Sequence, residues 1–310
     1  MTIQNVAIIG LGAMGIMYGH HLEKHMTSGN LIIIADDERI QRYQRDHLYC
    51  NGERCRFHYV SPEATFGPVD LILFTVKFHH LSQAIQAVKS FVGPETILVS
   101  ALNGIESEAM IGAHYGMEHV VYSVAQGMDP LRVDNRVTYE HMGTLVIGDP
   151  HRGHDAPNIQ RLAAFFDQVA FPYEIDPNIQ KRMWGKFMLN VGVNQTVAVY
   201  RGNFGMVQQA GEAREMMIAA MREVLNLAPK EGVDLTEDDL TYWLAILDTL
   251  NPAGKPSLAQ DIEAGRPTEV DMFSGTVIAL GKKHGVPTPV NEKLYRRIKD
   301  IENKQANTEL

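Results

Sequence analysis

Four stretches in the first hundred residues are apolar almost without interruption: 6–9, 31–35, 70–76 and 96–100. Runs this short, bounded by Gly, Pro, Asn or Ser, predict strands buried on both faces. Between them the apolar positions change period. Residues 14–25 and 81–91 show amphipathic helical spacing, and 39–47 reads as a solvated helix. Strand, helix and strand with short loops predict parallel pairs joined by right-handed crossovers, a doubly wound α/β sheet. Residues 48–60 alternate around Asn51-Gly52 and predict a hairpin at the edge of that sheet. Strand-like pieces at 120–125, 137–141 and 144–148 read as an antiparallel extension that finishes it, followed by a helix to about 169 and a short strand at 171–175.

Beyond Asp176-Pro177 the strand runs vanish and helical periods take over, at about 179–200, 206–231, 236–250, 267–284 and 288–303. The expected organisation is an α/β Rossmann-type domain over 1–176 and an all-helical C-terminal domain over 177–310, with the ligand cleft expected between them. Residues 303–310 read as frayed.

The first strand runs straight into Gly10-Leu11-Gly12-Ala13-Met14-Gly15. A Gly-x-Gly-x-x-Gly turn between strand and helix is a dinucleotide-binding arrangement. Gly10 makes the tight turn, Gly12 admits a pyrophosphate, Gly15 lets the helix approach the strand, and the helix N-terminus faces the phosphates. Asp36 closes the second apolar run twenty-one residues after Gly15, where an acid meets the ribose hydroxyls. Lys77 stands at the carboxyl end of the third run, the side on which ligands of open α/β sheets bind. Asn103, after the fourth run and before Gly104, reads equally as a site contact or a helix cap.

Composition removes several classes of function. A net charge of −9 disfavours nucleic acid, whose binding depends on neutralising phosphates. No apolar run approaches the ~20 residues of a membrane span, and the N-terminus shows no basic region or cleavage site, so a cytoplasmic protein is expected. Cys50 and Cys55 flank the Asn-Gly turn; reduced thiols are the expectation, with a cross-strand disulfide the lesser alternative. The thirteen histidines show no recognised ligand spacing and read as solvated; no metal is expected.

The polar residues of the second half carry the chemistry. Lys186, Asn190 and Asn194 are spaced i, i+4, i+8 on a helix otherwise almost entirely apolar. A polar stripe on a buried helix must face a partner or a ligand, and a lysine desolvated there has its pKa lowered toward neutrality, which suits a proton donor. A second polar cluster spans Ser257, Gln260 and Asp261, then Arg266, Thr268, Glu269 and Asp271.

Taken in order, the glycine turn, Val76-Lys77, Leu102-Asn103-Gly104, Trp184-x-Lys186-x3-Asn190-x3-Asn194, Ser257-x2-Gln260-Asp261 and Arg266-x-Thr268-Glu269-Val270-Asp271 resemble the ketopantoate reductase family. The resemblance implies a Rossmann domain, a helical domain and stereospecific hydride transfer from a reduced nicotinamide to C2 of a small-molecule 2-oxo acid, giving a D-2-hydroxy acid. It also implies that Lys186 is the general acid and that Glu269 orders the cleft, the pair forming the catalytic set. Asn103, Asn190, Asn194 and Ser257 would bind substrate. Gly10, Leu11, Gly12, Ala13, Met14, Gly15, Asp36, Lys77, Asn103, Ala125 and Glu269 would bind cofactor. Association into a homodimer is left open.

One departure bears on the cofactor. The family pattern implies NADPH, with a basic residue after the second strand, whereas here the sequence is Asp36-Asp37-Glu38-Arg39. An acid there favours ribose hydroxyls over a 2′-phosphate, so NADH is expected to be used at least as well, unless Arg39 swings in. Ketopantoate is the first substrate expected, branched or aromatic 2-oxo acids the alternative. A non-catalytic nucleotide sensor is the rival from another class, and it would have no need of Lys186.

Overall fold

The computed structural model describes residues 2–306. It comprises two compact units, Met1–Ile179 and Gln180–Leu310.

In the first unit the four apolar runs become β1 (Val6–Ile9), β2 (Leu31–Ile34), β6 (Leu71–Phe74) and β7 (Ile97–Ser100), each buried along its whole length. They present apolar side chains on both faces. Ile8, Ile33, Leu73 and Val99 join one core with Ile16, Met17 and Phe166, while Ile9, Ile32, Phe74 and Leu98 join another with Leu81, Ile85 and Ile111. Helices α1 (Ala13–His25) and α5 (Pro157–Gln168) cover the first face, and α3 (Leu81–Ala87) and α4 (Ser107–Tyr115) the second. Only a sheet sandwiched in this way tolerates such continuous hydrophobicity.

With β5 (His58–Val60), β8 (Val120–Gln126), β11 (Thr144–Gly148) and β12 (Tyr173–Ile175), these strands form one sheet in the order β12-β11-β8-β7-β6-β1-β2-β5. All neighbours from β5 to β8 are parallel; β11 is antiparallel to β8 and parallel to β12. Strand order reverses between β1 and β6, which places the crevice of the sheet at their carboxyl ends.

Two expectations change here. The hairpin β3 (Tyr49–Cys50) and β4 (Glu53–Arg54) leaves the main sheet and pairs with β10 (Arg136–Thr138) and β9 (Leu131–Val133) in a separate four-stranded sheet. Residues 137–138 therefore extend this small sheet, while 58–60 supply the edge of the large one. Asn51 holds the junction, its side chain accepting from Tyr139 N at 2.9 Å and donating to Tyr139 O at 3.1 Å. The hairpin register sets Cys50 opposite Glu53, and Cys55 bonds back to Leu48 O, so the two cysteines are not cross-strand partners. Both are free and buried, and burial pushes the thiols up to about 11 and 12.

The histidines are also less uniformly solvated than their spacing suggests. His20 is buried beside Glu53 at 3.4 Å, and His21 Nε2 lies 2.8 Å from Val169 O; burial lowers both pKa values.

The second unit is helical. Helix α6 (Ile179–Tyr200) has the predicted bounds, but the helix expected over 206–231 is broken into α7 (Phe204–Gln208), α8 (Glu212–Leu227) and a 3-10 turn (Ala228–Glu231). Gly211, at φ +145°, makes the break. Next comes α9 (Glu237–Asp248), started by a Thr236–Asp239 capping box, and then α10 (Ser257–Glu263). Residues 267–270 are not helical; a π-helical turn (Asp271–Gly275) opens directly into α11 (Thr276–His284). The final helix, α12, runs Pro289–Ala306, so residues 303–306 are helical rather than frayed, and 307–310 lie outside the described residues. No helix among the described residues is long and apolar enough to cross a membrane.

Candidate active site

At the reversal point the chain leaves β1 through Gly10 (φ +103°), a conformation that a side chain resists. A Cβ on Gly10 would also come within 2.7 Å of Val76 N, and one on Gly15 would overlap Gly10 O. Both glycines are thus required by the protein's own packing. Gly12 differs: it has ordinary extended angles (φ −74°, ψ −167°), and a Cβ there would meet only Thr75 O at 3.9 Å. Among the described residues nothing needs a glycine at 12; what its absent side chain keeps open is space beside the N-terminus of α1. That space, with unpaired first-turn N–H groups beside it, fits a pyrophosphate approaching the backbone.

Gly10, Leu11 and Gly12 line a cavity of about 310 Å³ together with Asp36, Arg39, Thr75, Lys77 and Arg132. Thr75 was not legible as a site residue, yet it fixes the turn: its N donates to Ile9 O at 2.9 Å and its hydroxyl to Gly10 O at 2.6 Å. Asp36 follows the end of β2 by two residues and caps α2 (Asp37–Asp46), accepting from Arg39 N at 2.8 Å. Its other oxygen accepts from Arg39 Nη1 at 3.0 Å. Arg39 has therefore swung in, and the carboxylate faces the cavity as an ion pair rather than as a bare charge. A carboxylate has about four acceptor sites, so acceptor capacity remains for hydroxyls.

Lys77 caps the 3-10 turn Phe78–His80 and lines the same cavity. Ala13, Met14 and Gly15 form the first turn of α1 outside the cavity lining. Asn103 sits in the loop after β7. Helix α4 begins at Ser107 with Glu106 as its cap residue, so Asn103 is not a helix cap. Ala125 is buried on β8 with its methyl in the core, opposite Leu145. Below this loop lies a buried polar chain missed in the sequence: Ser100 Oγ donates to Ser107 Oγ at 2.8 Å, and Ser107 Oγ to Glu108 Oε2 at 2.9 Å. Desolvation raises the Glu108 carboxyl to about 7.

In the second unit, α6 carries Lys186, Asn190 and Asn194. A Cβ on Gly192 would lie 2.9 Å from Met217 O, and one on Gly185 would run into the Trp243 ring, so α6 packs on α8 and α9 along the 185/192 seam. At about 100° per residue the three polar side chains stand roughly 100–200° round the helix from that seam. They form a stripe on a different side, with Asn194 buried and Lys186 and Asn190 partly so. Desolvation pulls the Lys186 ammonium down to about 8.

Ser257 is exposed at the start of α10, in a segment tied down by its neighbours: Arg266 Nε donates to buried Asp261 at 2.9 Å, and Thr268 N and Oγ1 donate to Glu302 at 2.8 and 2.6 Å. Glu269 stands two residues before the π turn, its carbonyl accepting from both Met272 N and Phe273 N. That turn is anchored from behind by a buried network absent from any sequence motif. Ser274 Oγ contacts Gln195 Oε1 and lies 3.1 Å from Asn291 Oδ1, and Asn291 donates to Glu223 at 2.7 Å. A widened turn next to a polar side chain is a frequent feature of functional sites.

Elsewhere, Asp129, Glu140 and His141 cluster on the surface, where Asp129 accepts from both backbone N–H groups and from His141 Nδ1.

A doubly wound sheet with a Gly-x-Gly-x-x-Gly turn at its reversal point, followed by a helical unit bearing a desolvated lysine, is the arrangement of a pyridine-nucleotide oxidoreductase of Rossmann type. The family Ketopantoate reductase PanE/ApbA matches residues 6–152, and its C-terminal counterpart matches 178–302. The chain belongs to the ketopantoate reductase family. It is 26% identical over 293 residues to the 2-dehydropantoate 2-reductase of Streptococcus pyogenes serotype M18, covering 92% of this chain and 93% of that one. To the enzyme of the same name from Vibrio cholerae serotype O1 it is 24% identical, with 96% and 98% covered. The crystal structure of a PanE/ApbA family ketopantoate reductase from Ralstonia eutropha JMP134 superposes with a TM-score of 0.82 at 27% identity, covering 97% and 99% of the two chains. A D-mandelate dehydrogenase solved with NADH and anilino(oxo)acetate shares the fold at a TM-score of 0.85 and 23% identity, again over 97% and 99%.

Proposed function

We propose that this chain reduces a 2-oxo acid to a D-2-hydroxy acid with NAD(P)H, with 2-dehydropantoate (ketopantoate) as the substrate and D-pantoate as the product. The observation that carries the reading is Lys186, a lysine brought down to about 8 on the polar stripe of an otherwise buried helix. The dinucleotide supplies the hydride. As charge develops on the carbonyl oxygen, the Lys186 ammonium stabilises it and then transfers its proton. Asn190 and Asn194, with fixed amide donors on the same stripe, and Ser257 hold the carboxylate and hydroxyl groups of the substrate. Glu269 orders the site from the rim of the π turn; Asn103 and Lys77 hold cofactor and substrate at the strand ends. The backbone N–H groups from Leu11 to Gly15 receive the pyrophosphate.

Asp36 supports a finer reading: NADH serves at least as well as NADPH, because the carboxylate keeps acceptor sites for the ribose hydroxyls. The Arg39 pair tempers its repulsion of a 2′-phosphate, so NADPH is used too. The same acid favours, as a second reading, a D-2-hydroxyacid dehydrogenase for branched or aromatic 2-oxo acids. A panel of 2-oxo acids, ketopantoate included, assayed for kcat/KM with both cofactors tests all of this. Reduction of none of them would overturn the proposed reaction, and a clear NADPH preference would overturn the role given to Asp36.

A further inference from the structure

Arg132 reaches the glycine turn from far away in sequence. It is carried on β9 of the small sheet, and its Nη1 donates to the carbonyl of Leu11, the residue between the first two glycines. Its Nε donates to Asp134 O at 2.8 Å, which fixes the guanidinium at a second point. A guanidinium has five N–H donors, so three remain after these two bonds. Arg132 lines the cavity together with Gly10, Gly12, Asp36 and Arg39.

The charge of this side chain is not explained by the protein. A staple between β9 and the turn needs a donor, and a neutral amide would provide one. Arg132 instead sits partly buried, makes no ion pair with a carboxylate among the described residues, and has Arg42 as a like-charged neighbour that its nearby Asp134 only partly offsets. Desolvation, the largest influence, lowers its pKa, with Tyr43 and Asp134 acting against it and Arg42 with it, so the cation is held in the cavity wall without a carboxylate contact of its own among the described residues. A planar fork held beside a row of helix-terminal N–H groups is suited to a phosphate.

We infer that Arg132 is a ligand of the cofactor's pyrophosphate, delivered to the glycine turn by the small sheet. This rests on the dinucleotide reading above. On that footing the four-stranded sheet is part of the cofactor site, bringing Arg132 up to the glycine turn beside the N-terminus of α1.

The test is equilibrium binding of adenosine, ADP-ribose, NADH and NADPH to the full chain and to Arg132→Gln, at low and high salt. ADP-ribose, NADH and NADPH should all weaken by about tenfold or more, the scale of a charge-assisted hydrogen bond. Adenosine should bind unchanged, and the salt dependence of dinucleotide binding should flatten. Three results would overturn the inference: unchanged ADP-ribose affinity, an equal loss of adenosine (a purely structural staple), or a loss confined to NADPH (a 2′-phosphate contact instead). Should Arg132→Gln fail to fold, Arg132→Lys decides, since it keeps the charge but loses the fork and must still weaken ADP-ribose relative to adenosine. A wild-type chain that binds no dinucleotide would refute the dinucleotide reading itself, an outcome separate from all of these.

Discussion

Replacing Lys186 with methionine should make the protein more stable and nearly inactive. Desolvation takes this lysine from 10.5 to about 8. The folded chain therefore holds the proton less tightly than the unfolded chain, and the charged form is a burden at every pH below about 8. The stability lost is fully recovered only above about 10.5. A tenfold weaker hold on the proton corresponds to about 1.4 kcal/mol, and the drop from 10.5 to about 8 therefore sets an upper limit of about 3 kcal/mol at pH 7. It is a limit because the contacts of the ammonium disappear along with its desolvation. Methionine fills similar volume without a charge, so calorimetry at pH 7 should show an unfolding midpoint raised by up to roughly 10 °C, at roughly 3 °C per kcal/mol for a unit of this size. The gain should shrink as pH is raised toward 10.5. In the same variant kcat for 2-oxo acid reduction should fall by ~10²-fold or more, with dinucleotide affinity nearly intact. In the wild type, reduction should slow as pH passes about 8, where the donor loses its proton. A Lys186→Met protein that is less stable at pH 7, or that turns over normally, would refute the assignment of this lysine as a desolvated acid.

Three further substitutions probe the first unit. Gly12→Ala should leave the unfolding midpoint within a few degrees of wild type yet weaken NADH about tenfold or more, whereas Gly15→Ala should lose ~1–3 kcal/mol of stability through overpacking against Gly10 O; paired thermal and NADH-fluorescence titrations separate the two, and equal destabilisation would sink the distinction. Glu108 is held at about 7 against an ordinary 4.5, so the folded state binds its proton more tightly and stability falls as pH rises from about 4.5 to about 7, by up to about 3 kcal/mol. Glu108→Gln should abolish that slope and be more stable than wild type at pH 8 but not at pH 4.5; parallel urea titrations at both values check it.

The elements legible in the sequence are those whose signal is local. Residues 6–9, 31–34, 71–74 and 97–100 declare themselves because strands covered on both faces need no alternation, and α6 because twenty-two mostly apolar residues run on with no Pro and no turn signal to end the helix. The small sheet was not legible, since Tyr49 pairs with Arg136 and no local period reports a partner so distant. Arg132 was hidden for the same reason: it matters only once β9 has been brought to Leu11. The π turn escaped because its wide hydrogen bonding, such as Gly275 N to Val270 O at 3.1 Å, is held in place by the Gln195–Ser274–Asn291 contacts and leaves residues 271–284 with an apparently ordinary helical pattern. The candidate chemistry of Lys186, Asn190 and Asn194 was visible because polar residues at i, i+4, i+8 interrupt an apolar helix, which is itself a local signal.

The three glycines of the turn have different masters. Gly10 and Gly15 answer to the chain's own backbone, and would remain obligatory in a descendant that had ceased to bind anything. Gly12 answers only to whatever approaches from the cavity. Among diverging copies of this protein, then, loss of the middle glycine with retention of the outer two would mark a lineage that kept the fold and abandoned the ligand, a distinction that counting all three as one motif erases.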